Sequence, residues 1–263
     1  MRILFLGDIV GHIGLKAVSD VLPSIRQKER LDFVIANGEN ASGGFGLTEE
    51  DYQYLIDSGV DCVTLGNHWD SKKQIREYCE RAPKLVRPAN ILYFDGGSGS
   101  RKFLVGEKEV TVTNILGTAF MKETVASPIV TMGEILPSSS AIHIVDYHAE
   151  STSEKAIFAS YFDGRVSAVI GTHTHVQTAD ETVYPGGTAF ISDAGLCGAH
   201  QSVIGFDKAG AIDKMVFGRD AKLKIKEDGD KVVNGVILDI ADNGKTTSIK
   251  RVYLINGKEK NNG

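Results

Sequence analysis

The stretch Asp61-Cys62-Val63-Thr64-Leu65-Gly66-Asn67-His68-Trp69-Asp70 joins a run of strand-type residues to a polar turn. It puts Asn67 and His68 where a buried strand opens into a loop, the place where open α/β sheets bind their ligands. Asn67 offers a neutral carbonyl oxygen, and His68 can hold or release a proton near neutral pH. Alone, Gly66-Asn67-His68 reads as a turn followed by a partly buried histidine. Four other strand ends change that reading. The apolar runs Ile3-Leu4-Phe5-Leu6, Phe33-Val34-Ile35-Ala36, Ile142-His143-Ile144-Val145 and Ala168-Val169-Ile170 lead into Gly7-Asp8, Gly38-Glu39-Asn40, Tyr147-His148 and Gly171-Thr172-His173-Thr174-His175. Together the five ends offer Asp8, Glu39, Asn40, Asn67, His68, His148, His173 and His175. Hard oxygen ligands and imidazoles gathered in this way point to a metal centre, and to one of the two-metal kind.

Composition narrows the class. The chain has 263 residues, 42% of them hydrophobic, which suits one large α/β domain, taken here as 1–263, or two small ones. A formal net charge of -5 argues against a broad nucleic-acid surface but not against a small nucleotide, because metal ions supply local positive charge. Cys62, Cys79 and Cys197 show no CxxC spacing, so neither a disulfide framework nor a zinc ribbon is expected. Cys62 reads as a small core residue. No signal peptide and no apolar stretch long enough for a bilayer is found, and a cytoplasmic protein is expected.

Along the chain, Arg2 to Leu6 reads as a buried strand. A turn at Gly7 to Gly11 precedes a helix from about Gly14 to Lys28, which Pro23 should kink or interrupt. Gly7, Gly11 and Gly14 do not fit GxGxxG, and no GxxxxGK[ST] occurs, so Rossmann and P-loop sites are set aside. The glycine-rich loop Ala41 to Gly46 is suited to shape a pocket wall. Capping boxes are expected at Thr48 to Asp51 and at Ser151 to Glu154, and Ser71 should cap a helix reaching about Arg81. A hairpin is expected around Gly106-Glu107-Lys108-Glu109. Met121 to Pro137 lacks clear periodicity and is expected to cover one side of the site. Asp193-Ala194-Gly195-Leu196 is a candidate pocket lining. Later strands are expected at Thr188–Ser192, Lys222–Lys226, Val232–Ile240 and Ser248–Ile255, with a turn at Asp242-Asn243-Gly244 and a frayed tail from Lys258 to Gly263. The economical architecture is a four-layered α/β/β/α sandwich with two mixed sheets whose loops meet at one edge.

The ordered set Gly7-Asp8, Gly38-Glu39-Asn40, Gly66-Asn67-His68, His148 and Gly171-Thr172-His173-Thr174-His175 resembles the calcineurin-like metallophosphoesterases. The resemblance is closest to one branch, the bacterial YmdB-type phosphodiesterases. It takes in the start Arg2-Ile3-Leu4-Phe5-Leu6-Gly7-Asp8-Ile9-Val10-Gly11, the segment Asn37-Gly38-Glu39-Asn40-Ala41 and the segment Ser202-Val203-Ile204-Gly205. Most of the superfamily has Asp-x-His at the first strand end, where this chain has Asp8-Ile9-Val10. Glu39 stands in place of the usual bridging Asp. The YmdB-type branch shares both replacements.

The resemblance implies that Asp8, Asn40 and His175 hold a first metal ion, that Asn67, His148 and His173 hold a second, and that Glu39 bridges them. It also implies that a metal-bridging hydroxide attacks phosphorus with His68 as proton donor, on cyclic nucleotides, 2′,3′-cyclic ahead of 3′,5′-cyclic. The oxygen-rich first site favours iron or manganese over zinc or magnesium. The competing readings are a phosphomonoesterase or an RNA nuclease on the same centre, and a metal- or nucleotide-binding regulator without turnover. No basic track supports RNA, and no membrane partner is expected; a homo-oligomer is compatible with the sequence. His143 reads as a core histidine, and His12 and His200 as loop residues, with a pocket role for His200 left open.

Overall fold

Ile3, Leu4, Phe5 and Leu6 are buried on both faces of the first strand. That double burial requires a layer on each side of the sheet, and it explains why the run is continuously apolar and not alternating. In the computed structural model, which describes residues 1–259, the order is β1 (Arg2–Leu6), β2 (Asp8–Ile9), α1 (Gly11–Glu29), β3 (Phe33–Asn37), α2 (Glu49–Asp57), β4 (Cys62–Thr64), α3 (Ile75–Tyr78), β5 (Leu85–Val86), β6 (Ser100–Val105), β7 (Lys108–Leu116), α4 (Pro128–Ile135), β8 (Ile142–His148), α5 (Thr152–Tyr161), β9 (Ala168–Thr172), β10 (Thr182–Val183), β11 (Ala189–Ile191), β12 (Leu196–Ala199), α6 (Lys208–Met215), β13 (Lys231–Ile240), β14 (Thr246–Ile255) and β15 (Lys258–Glu259).

Two mixed sheets result. One is nine-stranded, ordered β15-β14-β13-β1-β3-β4-β5 with β12 and β2 joined beside β13; the other is six-stranded, ordered β10-β11-β9-β8-β7-β6. Leu4 and Leu6 turn outward and pack with Leu15, Val18 and Leu22 of α1 and Leu55 of α2. Ile3 and Phe5 turn inward and meet Val110, Ile142, Ile144 and Ile170 of the second sheet. The outer face of that sheet buries Val145 and Tyr147 against Met132 of α4 and Phe158 of α5. Each fully buried side chain of this size contributes about 1.5–3 kcal/mol. The expected α/β/β/α sandwich with two mixed sheets is the observed one. The parallel runs β1-β3-β4 and β7-β8-β9 end at a shared edge, where the five polar strand ends meet.

Several local expectations are corrected. Asp8 and Ile9 form a short strand paired with β12, not a turn. Helix α1 starts at Gly11 and is not interrupted at Pro23 but continues to Glu29; the apolar face packed on the sheet outweighs one lost hydrogen bond. Thr48 and Ser151 cap their helices as expected, but the acids three residues on do not close the boxes. Asp51 accepts from Ser42, and Glu154 accepts from Thr118 and Ala119, so both carboxylates pin neighbouring loops. Ser71 caps nothing; α3 begins at Ile75 after Gln74, and a 3-10 turn carries the chain to Arg81. Within Met121 to Pro137, Pro128–Ile135 forms α4 on the outside of the second sheet, because its apolar residues find a core there, and no residue of the segment lines the cavity at the site. Lys222 to Lys226 is not a strand; Ile225 alone bridges to Phe206. Lys258 and Glu259 pair with β14, and Lys260 to Gly263 lie outside the described residues. His12 sits in the first turn of α1. The three cysteines are free and buried. Among the described residues no helix is long and apolar enough to cross a membrane.

Candidate metal centre

The first sheet supplies Asp8 at β2, Glu39 and Asn40 after β3, and Asn67 and His68 after β4. The second supplies His148 as the last residue of β8, and His173 and His175 just past β9. The structure brings all eight together. His148 Nε2 lies 3.0 Å from Asn67 Oδ1, 3.1 Å from Glu39 Oε1 and 3.0 Å from His173 Nδ1. Ligand atoms of Glu39, His148 and His173 all fall within 4.8 Å of one another. On the other flank Asn40 Nδ2 lies 3.0 Å from Glu39 Oε1 and 3.1 Å from His175 Nε2, and Asp8 Oδ1 is 3.9 Å from His175 Nε2. The His68 side chain lines the cavity above, while its backbone N–H donates to Glu39 Oε2 at 2.9 Å.

Each imidazole is aimed through its other nitrogen. His175 Nδ1 faces the Ile204 carbonyl at 2.8 Å. His148 Nδ1 faces Thr172 Oγ1 at 2.9 Å, and Thr172 donates in turn to Asp146 Oδ1 at 2.7 Å. Asn37 and Thr64 donate to the other Asp146 oxygen. His173 Nε2 is 3.1 Å from Glu150 Oε2. Such outer partners set tautomer and ring orientation for metal ligation. His173 and His175 have φ of 104° and 64°, and this left-handed backbone lets neighbouring residues aim at one centre.

The charges are strongly coupled. Burial alone would push the His148 pKa down, but the charge and hydrogen bond of Glu39, with Asp8 and Asp146, raise it to about 9. Burial raises Glu39, yet His148 and His68 outweigh it and hold Glu39 at about 2. Asp8 goes up because it is fully buried, against the pull of His175 and His148. His173 falls to about 3 through burial and the neighbouring His148. Asp8 Oδ1 and Asn40 Oδ1 are buried with no hydrogen-bond partner among the described residues. These orphaned oxygens, and the His148 Nε2 nitrogen crowded by Asn67 Oδ1, Glu39 Oε1 and His173 Nδ1, are what a cation would satisfy, so the residue set fits metal ions.

The sequence reading missed Glu150, Thr172, Asp146 and the Ile204 carbonyl. Asp146 was visible as an acid two residues before His148 on the same strand, and Glu150 as the acid two residues after it. The Ile204 carbonyl carries no side-chain signal. His200 lies outside this cavity, beside Tyr253. Asp193 to Leu196 does not line it; Asp193 and Gly195 instead buttress Thr174 and Asp8 from below. His143 is buried, with Nε2 2.8 Å from Thr113 Oγ1, but its Nδ1 has no partner among the described residues. The glycine-rich loop does form a wall, through Gly44 and Phe45.

The chain is similar to the 2′,3′-cyclic-nucleotide 2′-phosphodiesterase of Bacillus subtilis (strain 168), at 40% identity over 258 residues covering 97% of each chain. A crystal structure of a novel phosphatase from Mycoplasma pneumoniae superposes with a TM-score of 0.91 at 32% identity, covering 97% of this chain and 93% of that one. The fold extends to a 5′-nucleotidase precursor of Thermus thermophilus, with a TM-score of 0.57 at 12% identity over 98% of this chain and 56% of that one. A model of the YmdB-like protein family matches residues 4–252, and with the Bacillus relative aligned end to end, this chain belongs to the YmdB-like family.

Proposed function

We propose that the chain is a dinuclear-metal phosphodiesterase that hydrolyses cyclic nucleotides, 2′,3′-cyclic monophosphates ahead of 3′,5′-cyclic ones. The observation that carries this reading is the convergence of Asn67 Oδ1, Glu39 Oε1 and His173 Nδ1 on His148 Nε2 from two different sheets. Three atoms of ligand type within hydrogen-bond distance of a fourth, His148 Nε2, leave lone pairs that a single proton cannot satisfy, whereas a metal ion takes all four as ligands. Asn67, His148 and His173 would hold one ion, Asp8, Asn40 and His175 the other, and Glu39 both. Asn40 presents Nδ2 to Glu39 and His175; a half-turn of its amide offers the buried Oδ1 instead. The mixed oxygen and imidazole donors favour iron or manganese. When bound, such a pair supplies a nucleophile from water and neutralises charge on the phosphate.

The remaining steps belong to the chain. Ser71 Oγ sits 3.3 Å from His68 Nδ1, and the Phe45 ring lies 4.9 Å away edge to face, so His68 is oriented with Nε2 free for substrate. The name of the Bacillus relative specifies the 2′ ester. Breaking that ester expels a ribose oxygen whose conjugate acid is weak, and His68 donates the proton it needs, a contribution of about 10²–10⁴-fold. Since both sheets contribute to one centre, residues 1–263 act as one functional unit. Metal analysis of the purified protein with a panel of phosphodiesters and phosphomonoesters tests the proposal. Two divalent ions per chain and preference for 2′,3′-cyclic substrates are expected; a metal-free protein, or one cleaving monoesters alone, overturns it.

A further inference from the structure

The cavity above the metal centre encloses about 280 Å³, near the lower end of the roughly 300–1,000 Å³ of small-molecule sites. It has two unlike halves. Its floor is the metal centre with Glu150 and Thr174. Its wall is apolar: Val10, Phe45, Ile204, Phe206 and Ile225. A phosphate group alone gives no reason for such a wall. Phe45 is 42% exposed although a polar site lies beside it. Its ring centroid is 6.2 Å from that of Phe206, with the rings tilted by 39°. Rings this close are in contact with each other and leave no slot between them, so they present one surface.

The wall is built, not incidental. Phe206 pairs with Ile225 in an antiparallel bridge, flanked by Asp207 N–H to Lys224 O at 2.8 Å and Lys226 N–H to Gly205 O at 2.9 Å. The loop bearing Phe45 packs directly on this bridge. A Cβ on Gly44, where φ is +90°, would come 2.4 Å from Ile225 side-chain carbons, so glycine is required for the contact.

We infer that Phe45 and Phe206 form the platform on which the nucleobase of the substrate stacks, and that the platform accepts any base. This rests on the phosphodiesterase reading above. A nucleoside cyclic phosphate carries a rigid planar π face at the end remote from phosphorus, which suits a polar floor beside an aromatic wall. The wall offers no side-chain donor or acceptor to a base edge, and stacking without edge contacts tolerates all four bases.

The test uses the full chain with its metals. Glycerol 1,2-cyclic phosphate has the same five-membered cyclic ester and no base. For Phe45→Ala and Phe206→Ala, the ratio of kcat/KM for adenosine 2′,3′-cyclic phosphate to that for glycerol 1,2-cyclic phosphate should fall by about 5- to 150-fold. Calorimetric Kd for adenosine 3′-monophosphate should weaken by a similar factor, with that for glycerol 2-phosphate unmoved. Phe206→Leu, which keeps bulk without a π face and so guards against misfolding, should behave as Phe206→Ala. An unchanged ratio with both substrates slowed equally means that Phe45 acts only through His68, and overturns the platform; so does an unchanged Kd. If wild-type protein cleaves neither cyclic ester, the phosphodiesterase reading fails, and the Kd comparison still decides the platform.

Discussion

Lys155 Nζ lies 3.1 Å from Asp193 Oδ2, and both side chains are buried beneath the His173-Thr174-His175 loop. The same Asp193 oxygen accepts the Thr174 N–H at 2.9 Å, and its partner oxygen accepts the Gly195 N–H at 2.9 Å. His173 and His175 each hold a left-handed backbone, at a cost of about 1–3 kcal/mol for such a residue. The Lys155–Asp193 pair braces that loop. Lys155→Met leaves the Asp193 carboxylate buried without its cation and should destabilise the protein by about 3–5 kcal/mol. It should also lower metal content, because the two histidines lose their aim. Denaturant melts and metal analysis check this; full stability with full metal content would remove the bracing role.

Gly66 separates β4 from the centre, and a Cβ there would stand 2.3 Å from Glu39 Oε2 and 2.4 Å from His148 Nε2. Neither neighbour can retreat, since both are buried. Gly66→Ala should therefore abolish metal retention and activity while the metal-free protein keeps its circular dichroism. Normal metal content in this variant would show that the two groups can separate without loss of the site.

His68 contacts the proposed substrate space but is no ligand in the arrangement proposed above. His68→Asn should leave metal content unchanged. Hydrolysis of 2′,3′-cyclic nucleotides should slow by about 10²–10⁴-fold, and that of bis-(p-nitrophenyl) phosphate far less, because nitrophenolate leaves without a proton. Equal losses on the two substrates would make His68 an electrostatic clamp instead of a proton donor.

His143 is buried, and burial lowers its pKa from an ordinary 6.5 to about 3. Between these values the unfolded chain binds the proton and the folded one does not. Its contribution to stability is thus full above about pH 6.5 and is lost as pH falls towards 3, amounting to about 2 kcal/mol by pH 5. His143→Gln, which stays neutral and can bond Thr113, should flatten the fall of melting temperature from pH 7 to 5. A variant with the same acid slope as wild type would place the sensitivity elsewhere.

The reading from sequence reached furthest where the rules are local. Buried parallel strands announce themselves as apolar runs, and a polar residue just past such a run has few places to go. That is why Asp8, Glu39, Asn40, Asn67, His68, His148, His173 and His175 could be named without coordinates, and why two mixed sheets were expected. It failed where tertiary contact overrides local preference. Pro23 does not interrupt α1 because the sheet holds the helix, and Asp51 and Glu154 leave their caps for loops that need donors satisfied.

The amino-acid order by itself determined which side chains stand at the strand ends, since period and polarity along a strand depend only on the chain. Only the tertiary structure decided that His148 Nε2 meets Glu39 Oε1 at 3.1 Å, for this contact joins the ends of two sheets packed face to face. It likewise decided that Ile204, with φ of 48°, turns its carbonyl to His175 Nδ1. A backbone oxygen exists at every residue, so no sequence pattern marks the one that orients a histidine. The turn that closes Val203 on Phe206, with the Gly205 N–H held by Ser202 Oγ and Phe206 bridged to Ile225, places it.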